Sequence, residues 1–305
     1  MIKVGCCGFP TSMKKYFESL MLVELNNTFY QYPRPETVEG WRNKAPENFE
    51  FTVKAHQDIS HKAKMQINPG SIKAFEQMKQ ICKTLKSKVL LFQTPGSFRP
   101  DRLVDAAKFF EGISRENLVF VWETRGASWE TPETYKRLGE VLEKLNVTHV
   151  TDPLRIEPAY TGEIAYFRLH GLGEQMYYYQ HSDMELQRLW NVVSSYERKC
   201  REVYVLFNNL SMFDDALRFK QFLATGKFPK ITASTGLASI KEVAAKTRYP
   251  ASKSILMKKI GWKLVEIEDG KQIRLGEILA DLPSKSYKNV EELLNDIKAT
   301  KKIDN

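Results

Sequence analysis

The chain is poor in the residues that most often announce a chemistry. Among 305 residues there are four cysteines and five histidines. Cys6, Cys7, Cys82 and Cys200 contain no CxxC spacing and are too sparse for a disulfide framework, so buried thiols in a reducing cytosol are expected. Adjacent Cys6 and Cys7 are poorly placed to bridge each other. The histidines form neither HxH nor HExxH, which removes the common zinc arrangements. GxSxG, Walker A and GxGxxG are absent, and Gly171-Leu172-Gly173 is too short to replace one. No apolar run approaches the roughly 20 residues of a membrane span, so no membrane partner is expected. The first residues read as a strand with no basic stretch ahead of an apolar one. No signal peptide and a cytoplasmic location are therefore expected. There is no internal repeat and no low-complexity segment.

Hydrophobic residues make up 42% and charged residues 27%, the balance of an ordinary globular protein. Net charge is +9. It is spread along the chain, compatible with nucleic acid or another anionic partner without requiring one. Short β-rich apolar runs alternate with helical patterns. Strands are predicted at Ile2–Cys7, Met21–Leu25, Phe49–Lys54, Lys88–Gln93, Leu118–Glu123, Val147–Thr151, Ile164–His170 and Glu202–Phe207. Helices are predicted at Pro35–Lys44, Ser71–Lys86, Asp101–Ile113, Pro132–Leu145, Asp183–Lys199 and Phe213–Ala224. Pro100-Asp101 and Thr131-Pro132-Glu133 are helix starts, and Ser182-Asp183-x-Glu185 resembles a capping box. Eight strands with crossovers predict an α/β fold, a (β/α)₈ TIM-type barrel over residues 1–231. The crossovers at 8–20 and 152–163 are short, so irregularity is expected there. The polar stretch 232–239 reads as a linker, and 240–305, ending in the polar run 301–305, as a small helical domain.

In such a barrel, function sits at the C-terminal ends of the strands. Side chains two apart on a strand share a face. The second strand ends with Glu24 and Asn26 on one face, and the third ends in Lys54, with His61 in the following loop. The fourth ends in Gln93, and the fifth carries Glu123 and Arg125. The sixth runs into Asp152, the seventh carries Arg168 and His170 together, and the eighth runs into Asn208. Charges are costly to bury without partners, so such a ring implies mutual pairing, a ligand, or both. Three cations beside these carboxylates, with amide and histidine donors, favour a phosphate or carboxylate group. His170 and Lys54 are the candidate proton-transfer groups. The competing reading is a closed ion-pair network in which Glu24 and Glu123 only neutralise Lys54, Arg125 and Arg168. His149 and His181 read as structural or exposed. No cofactor is expected. Glu24, Glu123, Asp152, His61 and His170 are the set that would meet a divalent metal, but the accompanying cations argue against one. Tyr178, in the tyrosine run after the seventh strand, is a candidate ligand-facing lid.

The run Val23-Glu24-Leu25-Asn26-Asn27-Thr28-Phe29-Tyr30 is followed by Phe51-Thr52-Val53-Lys54-Ala55, Leu91-Phe92-Gln93-Thr94-Pro95, and Glu123-Thr124-Arg125. Tyr166-Phe167-Arg168-Leu169-His170-Gly171 and Val205-Leu206-Phe207-Asn208-Asn209 complete the set. In this order, over about residues 2–225, these motifs resemble the YecE-like family (domain of unknown function 72). The resemblance implies a TIM-type barrel and no established activity. A likeness of that family to the endonuclease IV type of barrel has prompted suggestions of DNA binding or phosphodiester chemistry. This chain departs from the family pattern at Gly126-Ala127, where His-Pro is usual, and so lacks a histidine beside the pocket. The tail motifs Tyr249-Pro250-Ala251-Ser252-Lys253 and Ile278-Leu279-Ala280-Asp281-Leu282-Pro283 resemble a small helical family, domain of unknown function 2795.

Three functional expectations follow. The first is an enzyme that hydrolyses or transfers a phosphate-bearing, nucleic-acid or small-molecule substrate. In it Arg125, Arg168 and Lys54 hold the anion, His170 transfers the proton, and Glu24 and Glu123 orient them. The second is a non-catalytic nucleic-acid-binding protein. The third is an enzyme on a carboxylate or sugar acid, with Glu24 and Glu123 as a carboxylate pair.

Overall fold

A computed structural model describes residues 1–300; the polar run 301–305 lies outside the described residues. Eight strands form one parallel sheet: β1 (Ile2–Cys7), β2 (Leu22–Leu25), β3 (Glu50–Lys54), β4 (Val89–Gln93), β5 (Val119–Glu123), β6 (Thr148–His149), β7 (Ile164–Leu169) and β8 (Glu202–Phe207). Their order is β6-β5-β4-β3-β2-β1-β8-β7. A parallel bridge between Thr151 and Phe167 joins the two ends, where the Arg168 amide donates to the Thr151 carbonyl at 3.0 Å. The sheet therefore closes into the (β/α)₈ barrel. The helices between the strands are α1 (Met13–Ser19), α2 (Pro35–Lys44), α3 (Pro69–Leu85), α4 (Leu103–Gly112), α5 (Pro132–Leu145) and α6 (Asp183–Tyr196), with α7 (Met212–Thr225) after β8.

Local chemistry explains several boundaries. Proline opens α2, α3 and α5, where its missing N–H costs nothing. Asn68 and Ser71 form a reciprocal capping box at α3, and Ser182 with Glu185 do the same at α6. The short crossover at 8–20 holds α1, whose only buried residue is Tyr16. The crossover at 152–163 has no helix, so the expected irregularity lies there. The barrel interior is filled by Cys7, Leu22, Leu91, Val121, Tyr166 and Leu206 among others. All four cysteines are buried and free.

The chain divides into two compact units. The first is Met1–His170, Gln187–Asn208 and Met212–Leu217; the second is Gly171–Leu186, Asn209–Ser211 and Arg218–Asn305. The division differs from a barrel ending at 231, because the segment after β7 belongs with the tail. The expected linker 232–239 is also partly helical, since α8 spans Gly236–Ala244. Beyond it come β9 (Ala251–Ser252), α9 (Lys253–Ile260), β10 (Leu264–Glu268), β11 (Lys271–Arg274), α10 (Leu275–Leu279), β12 (Ser286–Tyr287) and α11 (Val290–Ala299). The helical appendage thus also contains two antiparallel two-stranded sheets, β10-β11 and β12-β9. Its own core gathers Ile240, Leu256, Val265, Leu279, Tyr287 and Leu293. No helix among the described residues is long and apolar enough to cross a membrane.

Candidate functional site at the barrel mouth

Parallel register brings the C-terminal ends of the strands to one level. Cys7 pairs with Glu24 across β1 and β2, Glu24 with Thr52 across β2 and β3, and Gln93 with Glu123 across β4 and β5. Alternation then sends the polar member of each pair of neighbours inward.

Arg168 lies at the centre, 1% exposed. One Nη donates to Glu123, and Nη2 donates to Glu24 Oε1 at 2.8 Å and to Asn26 Oδ1 at 3.4 Å. Asn26 Nδ2 donates to the same Glu24 oxygen at 2.9 Å. The other Glu24 oxygen accepts from the Tyr166 hydroxyl at 2.8 Å, and that hydroxyl lies 2.8 Å from Thr52 Oγ1. Glu24 is fully buried and has a donor on each oxygen. Burial alone would raise the Glu123 carboxyl, but the Arg168 and Arg125 guanidiniums hold it far below the usual carboxylate range.

Arg125 donates its Nε to Glu123 Oε1 at 2.6 Å, and one of its Nη groups meets His170 Nε2 at 2.9 Å. Burial, partly opposed by Glu123, pushes His170 down to about 3. The imidazole is therefore neutral at physiological pH. With Nε2 accepting from Arg125, its proton sits on Nδ1.

Lys54 is different. It is 7% exposed, yet its ammonium has one hydrogen bond, 2.7 Å to the Gln93 amide oxygen. It also lies 4.2 Å from the centroid of the Phe29 ring. No carboxylate among the described residues pairs with it. Burial, reinforced by Arg168, lowers its pKa to about 8 despite Glu24 and Glu123. His61 packs edge-on against the other partner of this lysine, Phe29, at 4.8 Å, and bonds Ser60 through Nδ1 at 2.9 Å.

Three more of the sequence-predicted residues lie around this network or beyond it. Asp152 caps the turn after β6: its oxygens accept from the amides of Leu154 and His170, each at 3.1 Å. Asn208 continues β8, its amide donating to the Leu169 carbonyl at 2.8 Å. Tyr178 belongs to the second unit, with its ring edge-on to Trp262 at 6.3 Å. His149 and His181 are both buried, so neither is an exposed loop residue. Sequence reasoning did not assign roles to Tyr166, Thr52 or Phe29. The first two sit two residues before Arg168 and Lys54 and were open to the alternation rule. Phe29 comes from a loop and carries no periodic signal.

No group of three or more His, Cys, Asp or Glu residues able to hold a metal occurs among the described residues.

A family model described as "Protein of unknown function DUF72" matches residues 8–235. The UPF0759 protein YunF of Bacillus subtilis is 24% identical over 266 residues, covering 73% of this chain and 94% of that protein. The UPF0759 protein YecE of Escherichia coli K12 is 29% identical over 107 residues, 35% of this chain and 39% of YecE. Among solved structures, a DUF72 family protein from Enterococcus faecalis V583 superposes with a TM-score of 0.63 at 25% identity, covering 73% of this chain and 98% of the other. One from Thermotoga maritima MSB8 gives 0.61 at 26% identity, covering 73% and 99%.

Proposed function

The chain belongs to the DUF72 family, and from that premise we propose that its barrel mouth binds an anionic, phosphate-bearing ligand beside Lys54. The observation that carries this reading is the state of that lysine. A buried ammonium has three donors, and Lys54 has a single neutral acceptor and an aromatic face. Both nearby buried carboxylates are held by arginine. Burying a cation without an anion is costly, and a ligand oxyanion would relieve that cost directly.

The same group suits hydrolysis or transfer. A lysine with a pKa of about 8 exchanges a proton near neutral pH, so Lys54 is the proton-transfer residue of this proposal. His170 instead holds Arg125, since a neutral imidazole with a pKa of about 3 is a weak base. Arg168 acts as the strut that joins Glu24 and Glu123. Glu123, so strongly favoured as a carboxylate, is a poor general acid, and this lowers support for a glycosidase-like carboxylate pair.

Calorimetric titration of inorganic phosphate into the wild type and into Lys54→Met tests the proposal. Loss of the ammonium should weaken binding by about 1.5–3 kcal/mol, the scale of a charge-assisted hydrogen bond. Equal affinity in the two proteins overturns it. A duplex DNA titration with a steep salt slope would identify the ligand as a polymer.

A further inference from the structure

We infer that a small cavity beside Glu123 and His170 binds hydroxyl groups, so that the ligand is a phosphorylated polyol or sugar and not bare phosphate. The inference rests on the Lys54 reading for the ligand's anionic half.

The cavity has a volume of about 110 Å³ and is bounded by Glu123, Trp129, Tyr135, Thr151, Asp152 and His170, with Glu130 and Arg155 also on its wall. At about 30 Å³ per water, it has room for a short hydroxylated carbon fragment. Its charge gives an anion little to hold. Glu123 is already matched by Arg125 and Arg168, Glu130 and Asp152 stand beside the one guanidinium of Arg155, and His170 and His149 on the same wall are neutral, lowered to about 3 and about 4 chiefly by burial. A cation would find only the exposed carboxylate of Glu130. Both Glu123 oxygens are taken by Arg125 and Arg168, and both Asp152 oxygens by backbone amides.

A neutral, hydrogen-bonding group is left. Thr151 points the same way: it is 7% exposed, and its hydroxyl has no hydrogen-bond partner among the described residues. A buried orphan hydroxyl lowers stability, so its retention calls for a partner that arrives from outside. Trp129 and Tyr135 offer apolar ring surface to the carbon side of a polyol. Glu123 belongs both to this wall and to the network around Arg168, which puts the cavity next to the mouth.

The test uses the full chain with inorganic phosphate and glycerol 3-phosphate as probes. The wild type should bind glycerol 3-phosphate about three- to tenfold more tightly than phosphate, the range of one net hydrogen bond. Thr151→Val is close to isosteric, keeps the β-branch and should hold or raise the melting temperature. It should erase that gain and leave phosphate affinity unchanged. A gain that is absent in the wild type, or that persists in Thr151→Val, overturns the hydroxyl subsite and leaves the Lys54 reading standing. If phosphate does not bind at all, the Lys54 reading falls. Glycerol alone then decides the subsite: a saturable NMR shift of the Thr151 methyl supports it, and no shift overturns it.

Discussion

Arg168 makes its ion pairs to Glu24 and Glu123 almost out of reach of solvent, and that decides what its removal does. Arg168→Met leaves two buried carboxylates without their shared cation. Stability should fall by about 3–5 kcal/mol, read by urea denaturation, while phosphate affinity changes less than in Lys54→Met. An unchanged midpoint would mean the guanidinium is no strut. The titrating groups have a definite sign. His170 and His149 have folded pKa values of about 3 and about 4, below the ordinary 6.5. Between those limits the unfolded chain binds more protons, so stability drops as pH falls from 6.5 toward 4. Glu123 acts in the same direction, its contribution present above its ordinary 4.5 and lost as pH falls below it. Lys54, lowered from 10.5 to about 8, makes stability rise as pH climbs across that interval. Denaturation at pH 7, 5.5 and 4.5 should show the acid slope, and His149→Gln should flatten it; an identical slope in the variant would refute the assignment. At this scale the sequence was legible wherever alternation applied, as it did for Glu24, Glu123 and Arg168. At Asp152 it left open the turn signal of Asp152-Pro153, where both carboxylate oxygens accept backbone amides.

The strands were easier to read than the helices around them. Regular apolar runs predicted all eight, but β6 shrinks to Thr148–His149 because the chain turns at Asp152 into a crossover without a helix. Helix α1 was missed: seven residues with one buried side chain carry almost no periodic signal, and only Ser12 marks its start by accepting the Lys15 amide at 3.4 Å. Glycine separates packing from propensity. In β1, a Cβ on Gly5 would lie 2.4 Å from the Leu22 carbonyl oxygen. Gly5→Ala should therefore destabilise by about 1–3 kcal/mol through overpacking. In α2, a Cβ on Gly40 meets nothing within 4 Å, and Gly40→Ala should stabilise by about 0.4–1 kcal/mol. Denaturation of both variants checks the pair, and a stable Gly5→Ala would contradict the β1–β2 contact.

Across the whole chain, the least legible boundary was the one between barrel and tail. Composition marked 232–239 as a linker, yet the second unit also takes in Gly171–Leu186. Within that unit the Leu264 amide donates to Gln180 Oε1 at 2.9 Å, and Gln272 Nε2 donates to Asp183 at 2.8 Å. Such long-range partners leave no local trace in sequence. The β10-β11 hairpin did leave one: Asp269-Gly270 is a strong turn signal, with Gly270 at φ 76°, but the helical pattern around it dominated. A fragment of residues 1–231 should keep slow hydrogen exchange in β1–β8 and lose it in 171–186. Equal protection of 171–186 in the fragment and the full chain would show that the tail is independent of it.

The central claim, that the molecule keeps one buried cation in reserve for an anion, comes down to the protonation of Lys54. Its ammonium can be followed by nitrogen-detected NMR through a pH titration, with and without phosphate. The account predicts a pKa near 8 that rises when phosphate is added, because a bound oxyanion favours the charged form. A lysine that titrates at its ordinary 10.5 and does not move with phosphate would contradict it.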